Sequence, residues 1–431
     1  MGTNAVSRKS GNSNTGNQLN QQEKIIRWLE KFGFEYDPFA ATDSERDHRL
    51  TEYFVEFPEF EAMRGLNHRL IFARPGDGKT ATRLHMQALY RDSVVHHHLF
   101  AFSYLIPQEL ATHPPETFVG HIPAILSAAV HHAFVFYALR GFELTPLQDL
   151  QTAQSIATGF ANLFDEYYGV LGSWRDDLKQ VLFTHSLKQV LANLEPVYDD
   201  LDPLDTVGII NIEWIQQWFT LLTNSAWEMP NESLPSTAIE QWQQLLQLIK
   251  RTGIETIMLL VDGVDIKPFN PISTIGGNMS HLGGKNSVDR MLAIIQPLLA
   301  AINQPTAALP IYWKLFVPLE LYLSFSNLLP ENIDCDIVEW DRKRLLQLLR
   351  SRLHSASNGA VTSLNQLVDK RVKIDLDMYL CAASQFSPRY LLHYVEKIFA
   401  AQVEGVGSRQ TPGKIDDSLL SNIRYIPHHQ P

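Results

Sequence analysis

The chain has 431 residues, of which 45% are hydrophobic and 19% are charged, and its formal net charge is −11. This length and balance are typical of a globular protein with two or three domains, and the acidity excludes a nucleic-acid-type polycation while leaving room for a local basic patch. Two cysteines, Cys335 and Cys381, form no CxxC or zinc-type spacing, which favours a reducing cytoplasm over a disulfide framework.

The N-terminal part of the chain alternates between helical and strand patterns. Apolar spacing and turn residues mark each element. In chain order, the sequence predicts a disordered polar arm at 1–22, a helix at 23–34, a helix at Ser44–Phe54, a strand at 69–73, a helix from Lys79 to Tyr90 and a strand at His98–Ile106.

The middle of the chain is mostly helical in pattern, with amphipathic stretches at 116–140, 147–168, 174–193, 209–226 and 236–250. Within it, the apolar run Phe118–Leu139 is long enough to span a bilayer. Its histidines and proline would be costly there. A buried helix of a globular protein is therefore the prediction, and no membrane association is expected.

The C-terminal part returns to strands and then to helices. The sequence predicts a buried strand at Glu255–Val261, a glycine-rich loop at 270–286, a helix to Ile302, a strand at Ile311–Val317, a basic amphipathic helix at Asp341–Leu353, further helices to Gln402 and a polar tail.

The most informative segment is Ala73–Thr80, Ala-Arg-Pro-Gly-Asp-Gly-Lys-Thr, between a predicted strand and a predicted helix. It matches the phosphate-loop pattern G-x-x-x-x-G-K-[ST] except that Ala73 replaces the first glycine. Such a loop turns backbone N–H groups toward a polyphosphate, Lys79 reaches the β- and γ-phosphates, and Thr80 holds Mg²⁺. The alternative is a strand–turn–helix with a surface lysine. The predicted nucleotide-binding residues are Ala73, Arg74, Pro75, Gly76, Asp77, Gly78, Lys79, Thr80 and Ala81.

A second motif follows the strand Met258–Val261, whose C-terminal end delivers the carboxylate of Asp262. Ligands of open α/β sheets bind at that edge, so Asp262 is predicted to bind the Mg²⁺ that Thr80 holds from the other side. Asp265 is the candidate to orient the attacking water or to act as general base. Alternatives are a strand-ending Asp262 in a turn and a turn or helix-capping Asp265.

Together, Ala73–Thr80 and Leu259–Asp265 resemble the Walker A and Walker B pair of additional-strand P-loop ATPases, which comprise the AAA+ group and the STAND signalling ATPases, including NACHT-type proteins. The Asp-Gly-x-Asp ending resembles the STAND form.

Two further segments resemble parts of the same modules. Tyr36–Phe39 resembles the Asn-Pro-Phe segment near the adenine in many such modules. Phe386–Leu392 resembles the sensor 2 pattern of a lid, which implies that Arg389 reaches the γ-phosphate region; the alternative is a helix-start proline with a surface arginine.

The resemblance implies an α/β fold, with a P-loop NTPase core containing a parallel sheet, a large helical insertion and a C-terminal helical lid. Lys79 and Asp262 are far apart in the sequence, and the predicted insertion accounts for most of the residues between them. The predicted domains are a disordered arm at 1–22, the first part of the core at 23–106, the insertion at 107–250, the second part of the core with Walker B at 251–330, the lid at 331–405 and a tail at 406–431.

The predicted function is a cytoplasmic, ATP-binding and ATP-hydrolysing conformational switch that uses Mg²⁺ and can form a homo-oligomer when loaded. Its effector would be a separately encoded protein, and family analogy points to bacterial signalling or defence. One alternative is an AAA+ DNA-associated loader or transposition-type regulator. The net acidity of the chain and the lack of a recognisable helix-turn-helix count against this alternative. Another alternative is a non-hydrolysing nucleotide-bound scaffold. Two features favour it: Ala73 in place of the first loop glycine, and the lack of a polar sensor 1 residue in Ile311–Val317.

Overall fold

A computed structural model describes residues 13–92, 98–140, 150–168, 173–184, 220, 235–265, 285–303, 308–325, 332–404, 413–416 and 419–420. The predicted helix at 209–226 and loop at 270–286 lie almost wholly outside these residues. The chain divides into two compact units, which we call the sheet unit (44–51 and 57–339) and the helical unit (1–43, 52–56 and 340–431).

The strands are β1 His68–Ala73, β2 Leu99–Leu105, β3 Thr256–Asp262, β4 Ile311–Pro318 and β5 Ile333–Ile337. The helices are α1 Ser13–Glu30, α2 Pro58–Met63, α3 Lys79–Asp92, α4 Gln108–Thr112, α5 Ile122–Arg140, α6 Leu150–Tyr167, α7 Trp174–Thr184, α8 Ala238–Arg251, α9 Lys285–Ile302, α10 Tyr322–Phe325, α11 Arg342–Ala356, α12 Leu376–Ala383 and α13 Pro388–Val403.

The sheet unit is built on five parallel strands in the order β2-β3-β4-β1-β5. Strand β4 therefore lies between β1 and β3. These three central strands are almost continuously buried, as strands with covered faces on both sides must be. The predicted α/β class with a parallel sheet is confirmed, and the carboxyl ends of all five strands meet at one edge.

Strand β5 was not predicted from the sequence. Its residues are Ile-Asp-Cys-Asp-Ile, and its two acidic side chains, Asp334 and Asp336, receive ion pairs from Arg69 on the neighbouring β1. An edge strand has one neighbour and an open side, so it tolerates charges that a central strand would exclude. Because apolar residues alternate with aspartates in this strand, it contains no continuous apolar run that would predict it.

The apolar run is a core helix. Within the described residues, one stretch, Phe118–Tyr137, is long and apolar enough to span a membrane, and 61% of its most apolar window is buried inside the protein. Helix α5 packs against β2, α6 and α8. Its Phe134 ring lies edge-on to Phe164 at 5.8 Å, and Phe136 lies edge-on to Phe100 at 5.3 Å. The prediction of a buried helix is confirmed.

Lys314 lies in the middle of β4 and is fully buried. Its ammonium donates hydrogen bonds to the Gly65 carbonyl at 2.6 Å and to the carbonyl and side-chain oxygens of Asn67, both at 2.9 Å. Burial, with the nearby Arg69 charge, lowers the pKa of Lys314 to about 7. This side chain holds the turn that leads into β1.

The helical unit joins α1 to α11, α12 and α13. Trp28 of α1 is fully buried, its ring lies edge-on to Phe399 at 5.2 Å, and its Nε1 donates to the Gly413 carbonyl at 2.8 Å. These contacts place residues 23–43 with the C-terminal helices, which corrects the prediction that 23–106 together form the first part of the core. Helix α1 also begins at Ser13, so part of the predicted disordered arm is helical.

One other local prediction needs correction. The predicted helix Ser44–Phe54 is instead two short 3₁₀ segments, Ser44–Arg46 and Leu50–Glu52. Asp47 N donates to Ser44 O at the first segment, and Leu50 N donates to Asp47 O in the turn between the two. In the basic helix α11, one basic side chain lies inside the helical unit. Arg352 is buried, and its guanidinium donates to the Pro38 carbonyl at 2.7 Å.

Replacing Trp28 tests the attachment of α1 to the helical unit. We expect Trp28→Ala to lower the free energy of unfolding by about 3–5 kcal/mol, because it leaves a cavity in a closed core. Trp28→Phe should cost about 1 kcal/mol, since the ring contacts remain and Gln402 still donates to Gly413. Chemical denaturation followed by circular dichroism measures both. The exposed Tyr379→Ala is the control, and equal losses in the three variants would contradict this packing.

Candidate functional site

The loop between β1 and α3 is a tight turn. Asp77 N donates to Arg74 O at 3.1 Å, with Pro75 and Gly76 as the central residues and a φ of +89° at Gly76. Proline followed by a left-handed glycine is the pattern of a type II turn. Gly78 has the same φ of +89°, so both loop glycines occupy backbone conformations that other residues rarely adopt.

Ala73 does not disturb this loop. It is the fully buried last residue of β1, paired with Pro318 of β4. Among the described non-glycine residues, positive φ occurs at Asn358, Gln385 and Phe386. The Ala73 backbone therefore makes no demand for glycine, and the departure from the loop pattern is compatible with the turn.

Helix α3 opens directly behind the loop, at Lys79. Its hydrogen-bond ladder begins with Thr82 N donating to Gly78 O at 2.8 Å. The N–H groups of Lys79, Thr80 and Ala81 precede that bond and have no intrahelical acceptor. Together with the positive end of the helix dipole, they form an environment suited to an anion.

Two carboxylates, one at the end of β3 and one just after it, meet the start of α3. Thr80 Oγ1 donates to Asp262 Oδ2 at 3.1 Å, and Lys79 Nζ lies 2.9 Å from Asp265 Oδ2. Gly263 N donates to the other Asp262 oxygen at 2.8 Å. Lys79 and Asp262 are buried, while the Asp265 side chain is 36% exposed. The structure thus brings together Lys79 and Thr80 of the first motif with Asp262 and Asp265 of the second.

A buried arginine, absent from the sequence prediction, completes the site. Arg83 is fully buried, and its Nε donates to Asp262 Oδ2 at 3.2 Å. Its NH1 donates to Ser103 Oγ at 2.8 Å, Ser103 donates to Gln87 Oε1, and Gln87 Nε2 lies 2.8 Å from His132 Nε2. Spacing offered a signal, because Arg83 is four residues after Lys79 and so shares its helix face.

Thr80 and Asp262 could hold a small, hard cation. A hydroxyl and a carboxylate are the oxygen ligands that Mg²⁺ prefers, and Mg²⁺ usually completes its shell with water and substrate phosphates. The described ranges contain no group of three or more His, Cys, Asp or Glu side chains placed to hold a metal. The donor set therefore fits a cation that is bound together with a polyphosphate, and not a closed metal cage.

Asp77 adds a titratable group inside the loop. Burial raises the pKa of its carboxyl to about 6, although the Arg74 and Lys79 charges act in the opposite direction. Asp77 consequently loses its proton within two pH units of neutrality, in the segment predicted to face phosphates. The sequence pattern treats this position as variable, so it gave no sign of this behaviour.

The remaining predicted residues lie in the helical unit. Arg389 is the exposed second residue of α13, following Pro388. In the Tyr36–Phe39 segment, Asp37 Oδ1 accepts a hydrogen bond from Phe39 N at 2.9 Å, and the Phe39 ring lies edge-on to Phe399 at 5.4 Å. The predicted contacts of Arg389 and of this segment with a nucleotide stay predictions.

Comparisons of the chain with protein-family models, with curated proteins and with solved structures return no match. The strand order and the contacts at this edge of the sheet are therefore the observations that bear on function.

Replacing Asp77 tests its raised pKa. A folded-state pKa of about 6, above the ordinary 3.8, means that stability is lost as pH rises from about 4 to about 6. Asp77→Asn removes this loss, so its stability should match that of the wild type near pH 4 and exceed it by about 1 kcal/mol at pH 7, after allowance for solvent screening.

Thermal unfolding of both proteins across this pH range measures the difference. The exposed Asp289→Asn is the matched control. A constant offset between Asp77→Asn and the wild type would contradict the raised pKa.

Proposed function

We propose that this protein binds ATP with Mg²⁺ at the 74–78 loop and acts as a conformational switch of the AAA+/STAND-like type that hydrolyses ATP. One observation carries the proposal: Lys79 and Thr80, at the start of α3, meet Asp265 and Asp262, at the end of β3. The Walker A and Walker B resemblance implies that these two motifs lie at the same edge of the sheet.

Polyphosphate binding follows from the donors at this edge. The loop and the first turn of α3 supply backbone N–H groups, and Lys79, the first residue of α3, supplies an ammonium. Phosphate oxygens would accept hydrogen bonds from both, while the helix dipole favours their negative charge. The glycines at 76 and 78 leave space for phosphates against the backbone, as they carry no Cβ atom.

Hydrolysis would use the two acidic residues in different ways. Thr80 and Asp262 would hold Mg²⁺, which would supply charge neutralisation at the phosphates. A bound γ-phosphate would draw Lys79 away from Asp265, leaving this half-exposed carboxylate to accept a proton from water. That water attacks the γ-phosphorus, the bond to the bridging oxygen breaks, and ADP and phosphate leave.

The strand order supports the same proposal. Strand β4 lies between β1, which leads into the loop, and β3, which ends at Asp262. An additional strand between the Walker A and Walker B strands is the feature for which the additional-strand P-loop ATPases are named. We further propose cytoplasmic action, nucleotide-dependent self-association and a separately encoded protein effector, in a bacterial signalling or defence setting.

The non-hydrolysing scaffold is the second candidate, and the end of β4 favours it. Residues Phe316, Val317 and Pro318 are buried and apolar at the carboxyl edge of this central strand. No polar side chain of β4 can therefore sense a γ-phosphate there. The structure gives the DNA-associated loader less support. Arg352 of the basic helix α11 is buried against backbone carbonyls, so its charge does not face solvent.

Replacing Lys79 tests nucleotide binding. We expect Lys79→Ala to weaken ATP binding at least about tenfold, since the phosphates lose their ammonium partner. Isothermal titration calorimetry with a non-hydrolysable ATP analogue and MgCl₂ measures this. The exposed Lys343→Ala is the matched control. Equal affinity in Lys79→Ala and the control would refute binding at this loop.

Replacing Asp265 separates the switch from the scaffold. If Asp265 accepts the proton from water, Asp265→Asn should lower the rate of phosphate release about 100-fold or more while ATP still binds. A phosphate-release assay under saturating ATP measures the rate. Turnover that is the same in wild type, Lys79→Ala and Asp265→Asn would leave the scaffold as the function.

A further inference from the structure

Asp262 already has a cationic partner within the protein. Arg83 Nε lies 3.2 Å from Asp262 Oδ2, and the two side chains are 0% and 6% exposed. Opposite charges at this distance and burial interact strongly, because little water lies between them to screen the field. The carboxylate that would face a metal ion is thus neutralised from behind by a residue of α3.

The arginine is fixed in place. Its NH1 bonds to Ser103 on β2, and Ser103 continues to Gln87, whose side chain meets His132 of α5. A buried chain of hydrogen bonds of this kind holds each member in one orientation. Arg83 therefore cannot swing toward the loop as an arginine that contacts phosphate would, and it acts on the site through Asp262.

Two ion pairs at the edge each balance one positive with one negative charge. Lys79 faces Asp265 at 2.9 Å, and Arg83 faces Asp262 at 3.2 Å. A metal-free polyphosphate carries several negative charges, and a bare buried carboxylate beside Thr80 would repel it. With Arg83 present, Asp262 does not present a net negative charge to the incoming phosphates.

We infer that Arg83 is a positioning residue that permanently neutralises Asp262 and lets this site bind nucleoside polyphosphates without Mg²⁺. The inference rests on the proposed nucleotide binding and goes beyond it. Arg83 performs for Asp262, in the absence of metal, the neutralisation that Mg²⁺ performs when it is bound. Metal-free affinity therefore depends on Arg83, whereas affinity in the presence of Mg²⁺ depends on it much less.

The test is the ratio of the ATP dissociation constants measured in EDTA and in MgCl₂, by calorimetry on the full chain. We expect a wild-type ratio within about tenfold. Arg83→Gln should raise the ratio at least about tenfold, chiefly through weaker binding in EDTA. Arg83→Lys keeps the charge and should stay near the wild-type ratio. The exposed Arg251→Gln in the same unit is the matched control.

A double variant keeps the test decisive if Arg83→Gln alone fails to fold. Arg83→Gln with Asp262→Asn removes both charges of the pair, so metal-free binding should return to the wild-type level. A merely structural role for Arg83 would instead change both affinities together and leave the ratio constant, which overturns the inference, as does a double variant that loses metal-free binding.

The proposed function fails separately from this inference. A folded wild type that binds no ATP in MgCl₂ refutes both statements. ATP binding that needs Lys79 but has the same EDTA-to-Mg²⁺ ratio in wild type and in folded Arg83→Gln refutes the role of Arg83 alone. Circular dichroism of each variant, recorded before titration, establishes which ones are folded.

Discussion

One buried carboxylate holds the two halves of the candidate site together. Asp262 ends β3, and its oxygens accept hydrogen bonds from Gly263 N, Thr80 Oγ1 and Arg83 Nε. A buried charge is tolerated only with such partners. Because Thr80 and Arg83 are three residues apart on one helix face, satisfying Asp262 fixes how α3 lies on the sheet. The loop before α3 is fixed with it.

The strand order explains why α3 has to cross the sheet to form the site. With β4 between them, β1 and β3 lie about 10 Å apart, which is two strand spacings. Helix α3 leaves the end of β1 and packs across the sheet, contacting β2, β3 and β4. Lys79 and Asp265 then meet, although 186 positions separate them in the sequence. The contact depends on the path of α3 across the sheet, and not on strand pairing or on residues close in the sequence.

The sequence predicted the central elements because their physical signals are local. Strands β1, β3 and β4 are apolar runs, and the glycine loop followed by a lysine marks the start of α3. What it missed depends on tertiary contacts. Strand β5 is acidic at an open edge, and the 3₁₀ turns at Ser44–Arg46 and Leu50–Glu52 carry an ordinary helical pattern.

The same limit applies to the candidate site. Lys79, Thr80, Asp262 and Asp265 belong to short motifs with known spacing, so residue type and position were enough to select them. Arg83 belongs to no such motif, and its charge usually indicates a solvent-exposed helix position. Only the folded structure shows that its guanidinium is buried against Asp262.

The balance of charges at this edge bears on how the site would act as a switch. Without nucleotide, Lys79 is paired with Asp265, and Asp262 with Arg83. The buried pair is held by further hydrogen bonds, whereas the Asp265 side chain of the other pair is 36% exposed. A polyphosphate can therefore compete for Lys79 without disturbing Asp262. Binding would then convert Asp265 from the partner of an ammonium into an unpaired carboxylate, so that a single displacement both registers the ligand and prepares the base.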